Sequence, residues 1–144
     1  MDHLIRPLDI TDYEEMIRLW QICGLPFRPK GRDSYEAMTG EFKREETCFL
    51  GMFDGDKMIG TIIGSSDGRK GWINRLAIDP DYRGRKLAAR LIDECEQYLY
   101  DLGLEVIACL IEDVNTPSLS AFENSGYKIS DQILYCSKRP SEDS

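Results

Sequence analysis

An acidic chain concentrates three basic residues in one short stretch, Leu76-Ala77-Ile78-Asp79-Pro80-Asp81-Tyr82-Arg83-Gly84-Arg85-Lys86-Leu87-Ala88. The stretch reads as a strand, a proline-bounded turn and the start of a helix. A helix amino terminus exposes unpaired backbone N–H groups and the positive end of the helix dipole, which together suit a phosphate. Arg83 to Ala88 is therefore a candidate pyrophosphate site, with Arg83, Arg85 and Lys86 adding formal charge. The competing reading is a solvated basic first turn. Basic groups there oppose the dipole unless an anion is present.

Other chemistries are excluded by what the chain lacks. His3 is the only histidine, which removes Ser-His-Asp triads, Cys-His pairs and histidine-rich metal sites. The five cysteines, Cys23, Cys48, Cys95, Cys109 and Cys136, are odd in number, dispersed and free of any C-x-x-C pair. That argues against a disulfide framework or a zinc site and for reduced, mostly buried thiols. A net charge of −8 disfavours nucleic acid and anionic membrane as partners. At 144 residues and 42% hydrophobic content, one globular domain is expected, with no apolar run near the ~20 residues of a membrane span. Met1 to Arg6 has no signal-peptide pattern, so a soluble, cytoplasmic protein is expected.

The elements that must position the basic turn alternate along the chain. Leu4 to Leu8 reads as a strand. Thr11 with Glu14 suggests a capping box for a first helix carrying Met16, Ile17, Leu19 and Trp20 and closed by Gly24. Residues 25–33 read as a loop and Ser34 to Glu45 as a second helix. Cys48 to Phe53 and Lys57 to Gly64 are strands joined by Asp54-Gly55-Asp56, and Asp67 to Gly71 turns into a strand over 72–78. From Arg83 to Leu102 apolar residues recur at helical spacing, with Gly103 as the stop. Val106 to Ile111 reads as a strand buried on both faces. Thr116 reads as the N-cap, with Pro117 at the first helical position, of a short helix ending at Gly126. Tyr127 to Ser130 and Ile133 to Ser137 read as a closing hairpin, making residues 1–137 the domain and 138–144 a frayed polar tail. The sum is an α/β domain with about four helices. Its mixed, mostly antiparallel sheet has about seven strands, and the helix crossover makes 72–78 and 106–111 a parallel pair.

The stretch from Leu76 to Ala88 resembles the cofactor motif of GNAT N-acetyltransferases, Arg/Gln-x-x-Gly-x-Gly/Ala after an apolar-x-apolar-x-Pro strand end. Arg83 holds the first motif position and Ala88 the last, and Lys86 stands where a glycine is usual. Asn115 to Tyr127 resembles the family's second segment, N-x-x-A/S-x-x-L-Y-x-x-x-G-F, through Asn115, Ser118, Gly126 and Tyr127. Leu19-Trp20-x-x-Cys23-Gly24-Leu25 and Asp67-Gly68-x-x-Gly71-Trp72 are similar to a subgroup of small microbial GNAT proteins.

The resemblance implies an acetyl-CoA-dependent enzyme that acetylates a primary amine on a small molecule or peptide by direct attack. It implies pantetheine against Leu76, Ala77 and Ile78, pyrophosphate on Arg83, Gly84, Arg85, Lys86, Leu87 and Ala88, and further contacts from Asn115, Ser118 and Phe122. Leu76 N–H would stabilise the oxyanion and Asn115 would face the thioester. The family's tyrosine acid is replaced by Phe122, which has no proton to give. Glu112, or Asp113, is the carboxylate offered as base, with Tyr127 and Tyr135 as alternatives that otherwise read as core aromatics. Neither Asn74 nor Arg75 is the carboxylate that relatives often carry on this strand, and Arg75 either holds an anionic acceptor group or forms a surface ion pair. Trp20, Phe27 and Tyr35 are candidates for an acceptor pocket, with core packing the favoured reading of Trp20. Homodimerisation is implied at family level. A different class, an acyl-CoA-binding sensor without turnover, fits the loss of tyrosine at position 122.

Overall fold

The computed structural model describes residues 3–144. Strands β1 (Leu4–Pro7), β2 (Thr47–Asp54), β3 (Lys57–Ser66), β4 (Gly71–Ile78) and β5 (Ile107–Cys109) form one sheet in chain order. The first three pairings are antiparallel, and β4–β5 is parallel, as the helical crossover demands. The helices are α1 (Tyr13–Ile22), α2 (Tyr35–Phe42), α3 (Leu87–Asp101) and α4 (Thr116–Asn124), with 3-10 turns at Ile10–Asp12 and Pro80–Tyr82.

Helices cover both faces of the sheet. Side chains alternate along a strand, so on β2 Cys48, Leu50 and Met52 join the core under α3, while Phe49 and Phe53 join the core under α1 and α2. Helix α3 buries Leu87, Leu91, Ile92, Cys95 and Leu99 on one stripe. Its close seat on the sheet needs Gly64, where a Cβ would come within 2.5 Å of the Cys95 sulfur.

Five expectations are corrected. The sheet has five strands instead of about seven, because residues 127–137 form no regular element among the described residues. Ile129, Ile133, Leu134 and Tyr135 are all exposed, with no facing sheet edge to bury them, and Tyr135 is not a core aromatic. The strand expected over 106–111 shrinks to Ile107–Cys109, half-buried at the sheet edge, with Val106 and Leu110 exposed. The first capping box belongs to Asp9 and Asp12 rather than Thr11 and Glu14. A 3-10 turn precedes α1, and the Asp9 carboxylate accepts the Thr11 N–H at 2.8 Å. Likewise the cap of α4 is Asn115, whose side-chain oxygen accepts the Ser118 N–H at 3.3 Å, and Thr116 is already helical.

The glycine stops at Gly24, Gly103 and Gly126 hold, all at positive φ. The turn at Asp67 holds too. Its carboxylate accepts the Arg69 and Lys70 N–H groups and the Trp72 indole, which lowers its pKa to about 2. All five cysteines are free, but only Cys48 and Cys95 are buried, and Cys136 is exposed. Burial pushes the Cys109 thiol up to about 11, so it stays protonated at neutral pH.

Candidate active site

The site is made by β4 losing its neighbour. Pairing with β5 covers Gly71, Trp72 and Ile73 and then ends, so the strand from Asn74 to Ile78 has an edge that β5 does not occupy. On the opposite side of β4 the register to β3 jumps from Ile63↔Asn74 to Thr61↔Ala77, which sets Arg75 and Leu76 against the single residue Ile62. This is a β-bulge, and Arg75 occupies it at φ 55, outside the range β-strands use. Bulges add twist, and the pairing of β4 with β5 ends at Ile73, just before this one.

Long-range contacts hold the bulge. The Thr61 hydroxyl donates to the Arg75 carbonyl at 3.2 Å and receives the Trp20 indole N–H at 3.2 Å. Trp20 is fully buried, so it is a support for the bulge and not an open pocket wall. The Arg75 guanidinium lies 4.7 Å from the Trp20 ring centre, donates to the Pro26 carbonyl and pairs with Asp33 at 2.8 Å. Both side chains of the pair are largely buried, at 15% and 6% exposure, which corrects the expected surface ion pair. Desolvation lowers the Arg75 pKa while Asp33 opposes the shift. Asp33 also accepts the Arg28 N–H at 2.6 Å, so one carboxylate ties the 25–33 loop to the bulge. Phe27 packs against the α1 core, and Tyr35 is exposed, edge-on to Tyr13.

Beyond Ile78 the chain makes the turn at Pro80–Tyr82 and enters α3 at Leu87, four residues later than Arg83. Gly84 and Lys86 both take positive φ, at 81° and 60°. The lysine thus sits in the left-handed backbone conformation that glycine adopts freely, which is the reason a glycine suits this motif position. Helix α3 has no side-chain cap and no acidic residue in its first turn, and Arg83, Arg85 and Lys86 are exposed around it. Its first N–H groups therefore have no side-chain cap and no carboxylate in the first helical turn to compete with an anion. Arg83 Nε donates to the Ile78 carbonyl at 3.3 Å, and Arg85 stacks 5.1 Å from the Tyr82 ring centre. A recess of about 440 Å³ lined by His3, Asp54, Arg85 and Leu87 adjoins the turn.

The second segment is less aligned with the expected roles. Ser118 lies in the first turn of α4, half-buried, and Phe122 is a core residue at 3% exposure, edge-on to Tyr127 at 5.0 Å. The Tyr127 hydroxyl donates to Glu96 at 2.6 Å, and burial first, then that bond, raises its pKa. A hydroxyl so engaged is a poor acid at neutral pH. Glu112 and Asp113 are exposed carboxylates in the turn before α4, where the Glu112 carbonyl accepts the Asn115 N–H at 2.9 Å.

Sequence reasoning missed Asp33, Cys23 and Glu41. The Cys23 thiol at the end of α1 donates to the Ile78 carbonyl at 3.3 Å, the same oxygen that Arg83 uses. Glu41 on α2 is half-buried near Asp33, and burial followed by the Asp33 charge raises its pKa. No local signal marks the Asp33–Arg75 pair, whose members are 42 positions apart.

A basic, uncapped helix start thus follows directly on the part of β4 that β5 does not pair. Residues 13–127 match the model of the acetyltransferase (GNAT) family, and the chain belongs to that family. It is similar to the acetyltransferase SG1711 of Sodalis glossinidius (strain morsitans), at 32% identity over 139 residues and 96% of each chain. Among solved structures it shares its fold with the PaiA N-acetyltransferase of Thermoplasma acidophilum in complex with coenzyme A. That match has a TM-score of 0.80 at 24% identity and covers 91% of this chain and 92% of that one. It also shares its fold with AAC(6')-Iy in complex with a bisubstrate analogue, CoA-S-monomethyl-acetylneamine. There the TM-score is 0.78 at 17% identity, over 96% of this chain and 99% of that one. No described helix is long and apolar enough to cross a membrane.

Proposed function

We propose that this chain is an acetyl-CoA-dependent N-acetyltransferase that acetylates a primary amine of a small molecule or peptide in a ternary complex. The observation that carries the reading is the uncapped start of α3, ringed by Arg83, Arg85 and Lys86 and preceded by the part of β4 that has no β5 partner. These residues fit the carrier: phosphate oxygens would accept from the N–H groups of Arg83 to Ala88, and the pantetheine amides would pair with the free edge at Leu76, Ala77 and Ile78. When bound, acetyl-CoA supplies an activated acyl carbonyl.

The chain's own residues then orient and polarise. The Leu76 N–H, next to the bulge, is assigned to the oxygen of the reacting carbonyl. Asn115 has its oxygen committed to the Ser118 N–H, so its NH₂ is the group available to the carrier, with Ser118 beside it and Phe122 supplying an apolar wall. Glu112 is assigned to lead the amine proton to solvent. No phenol is assigned as acid, because position 122 is Phe and Tyr127 is held by Glu96. The leaving thiolate has a conjugate acid of modest pKa and needs less help than an alkoxide would.

The same two facts favour a second reading, an acyl-CoA-binding module without turnover. Thiol release from acetyl-CoA against a panel of primary amines separates the two. Release with at least one amine, reduced about a hundredfold in kcat by Glu112→Gln, supports the enzyme. Cofactor binding with no release on any amine gives the sensor.

A further inference from the structure

The reaction assigned to this site depends on where one backbone N–H points, and a neighbouring strand fixes that direction. Arg75 and Leu76 share a trans peptide group, whose carbonyl and N–H lie in one plane and point in opposite directions. The Thr61 hydroxyl, on β3, donates to the Arg75 carbonyl at 3.2 Å. The carbonyl is thereby held to the β3 side. The Leu76 N–H is directed away from β3, to the side of β4 that β5 leaves unpaired.

A second bond sets the first. The Trp20 indole N–H donates to the same hydroxyl oxygen at 3.2 Å, and an indole can only donate. The single hydroxyl proton is left for the Arg75 carbonyl. Thr61 is 1% exposed and Trp20 is fully buried, so neither bond can be exchanged for one to bulk water.

This grip differs in kind from the others on Arg75. Asp33 and the Pro26 carbonyl hold its guanidinium, and the Trp20 ring lies against it. Those contacts end on a long side chain whose rotatable bonds separate it from the peptide, whereas Thr61 acts on the peptide itself. Arg75 takes φ 55, a conformation that costs a residue with a Cβ, so a peptide released by Thr61 has a lower-energy orientation to turn towards.

We infer that Thr61 is a positioning residue for acyl transfer: through the Arg75 carbonyl it holds the Leu76 N–H towards the oxygen of the reacting thioester. This rests on the acetyltransferase reading and names a buried residue that sets its oxyanion donor without touching the carrier.

Thr61→Val keeps the shape of the side chain and removes the hydroxyl, and Thr61→Ser keeps the hydroxyl. Thiol release from acetyl-CoA, with the most active primary amine of the panel, should show kcat lowered at least about tenfold in Thr61→Val with KM within about twofold, and Thr61→Ser within about threefold of wild type. Calorimetric CoA affinity, which involves no acyl oxygen, should stay within about twofold in both. In amide NMR of the isotope-labelled free protein, the Leu76 resonance should move in Thr61→Val and hold in Thr61→Ser, because its N–H and the Arg75 carbonyl belong to one peptide group. If Thr61→Val does not fold, Thr61→Ala read against Thr61→Ser isolates the same hydroxyl. An unchanged kcat in Thr61→Val, an equal loss in Thr61→Ser, or a Leu76 resonance indifferent to the hydroxyl overturns the inference. Failure of the wild-type protein to bind CoA or release thiol overturns the acetyltransferase reading, and the amide resonance then decides alone whether Thr61 sets the Leu76 N–H.

Discussion

The two ends of the half of β4 that β5 leaves unpaired are built in opposite ways. At the carboxyl end, the turn from Asp79 to Lys86 and the start of α3 are shaped within a dozen residues, by Pro80, Gly84, the left-handed Lys86 and the absence of a cap. At the other end, the bulge at Arg75 is held by residues from three separate segments, Trp20 in α1, Pro26 and Asp33 in the 25–33 loop, and Thr61 in β3. One end is a local device that presents backbone. The other is a tertiary device that presents a shaped surface, and its ion pair cannot be exchanged one side at a time.

Breaking the tertiary end should have the largest effect on stability. Asp33→Ala leaves a buried, unpaired guanidinium and frees the 25–33 loop, so a loss of about 3 kcal/mol is expected in urea unfolding. The double variant Arg83→Ala and Arg85→Ala should leave urea stability nearly unchanged and weaken CoA binding by at least about thirtyfold, or about 2 kcal/mol by calorimetry. Lys86→Gly relieves the positive φ and should raise stability by about 1 kcal/mol, with CoA affinity held within about threefold because the backbone N–H remains. If Lys86→Gly instead cost stability, the left-handed backbone at that position would not be a strained one.

The smallest effect concerns Glu41. Its pKa is raised in the folded state, so its contribution is favourable below the ordinary carboxylate range and is lost as pH rises through the folded value. Glu41→Gln should therefore raise the Tm modestly at pH 7 and have no effect once the carboxyl is protonated in both states. Asp12 runs the other way. The Arg6 fork at 3.0 Å lowers its pKa, so its contribution holds above the unfolded value and is lost as pH falls through the folded one.

The same contrast explains what could be read from the sequence. The order of elements, the parallel pair, the glycine stops and the Arg83–Ala88 turn were legible because each is signalled by spacing and capping among near neighbours. The strand count was not. Ile133, Leu134 and Tyr135 form an apolar run of strand-like composition, but composition says nothing of whether a sheet edge is there to receive it, and all three are exposed. Thr11 was mistaken for a cap because the pattern one turn earlier, at Asp9 and Asp12, supports a 3-10 turn that the helical period does not reveal. Asp33 lies in a charged loop and gives no hint of its partner, and the bulge itself leaves no mark between Asn74 and Leu76. The local turn into α3 could thus be read ahead of the structure, and the tertiary contacts that hold the bulge could not.

The most direct test of the account is calorimetric titration of the purified protein with CoA at moderate salt. Saturable one-to-one binding that weakens as salt rises, and that the Arg83→Ala and Arg85→Ala double variant loses while remaining folded, is the result the anion site at α3 requires. Absence of CoA binding by the folded wild-type protein, or binding indifferent to that double substitution, would contradict the assignment of the α3 start as the pyrophosphate site.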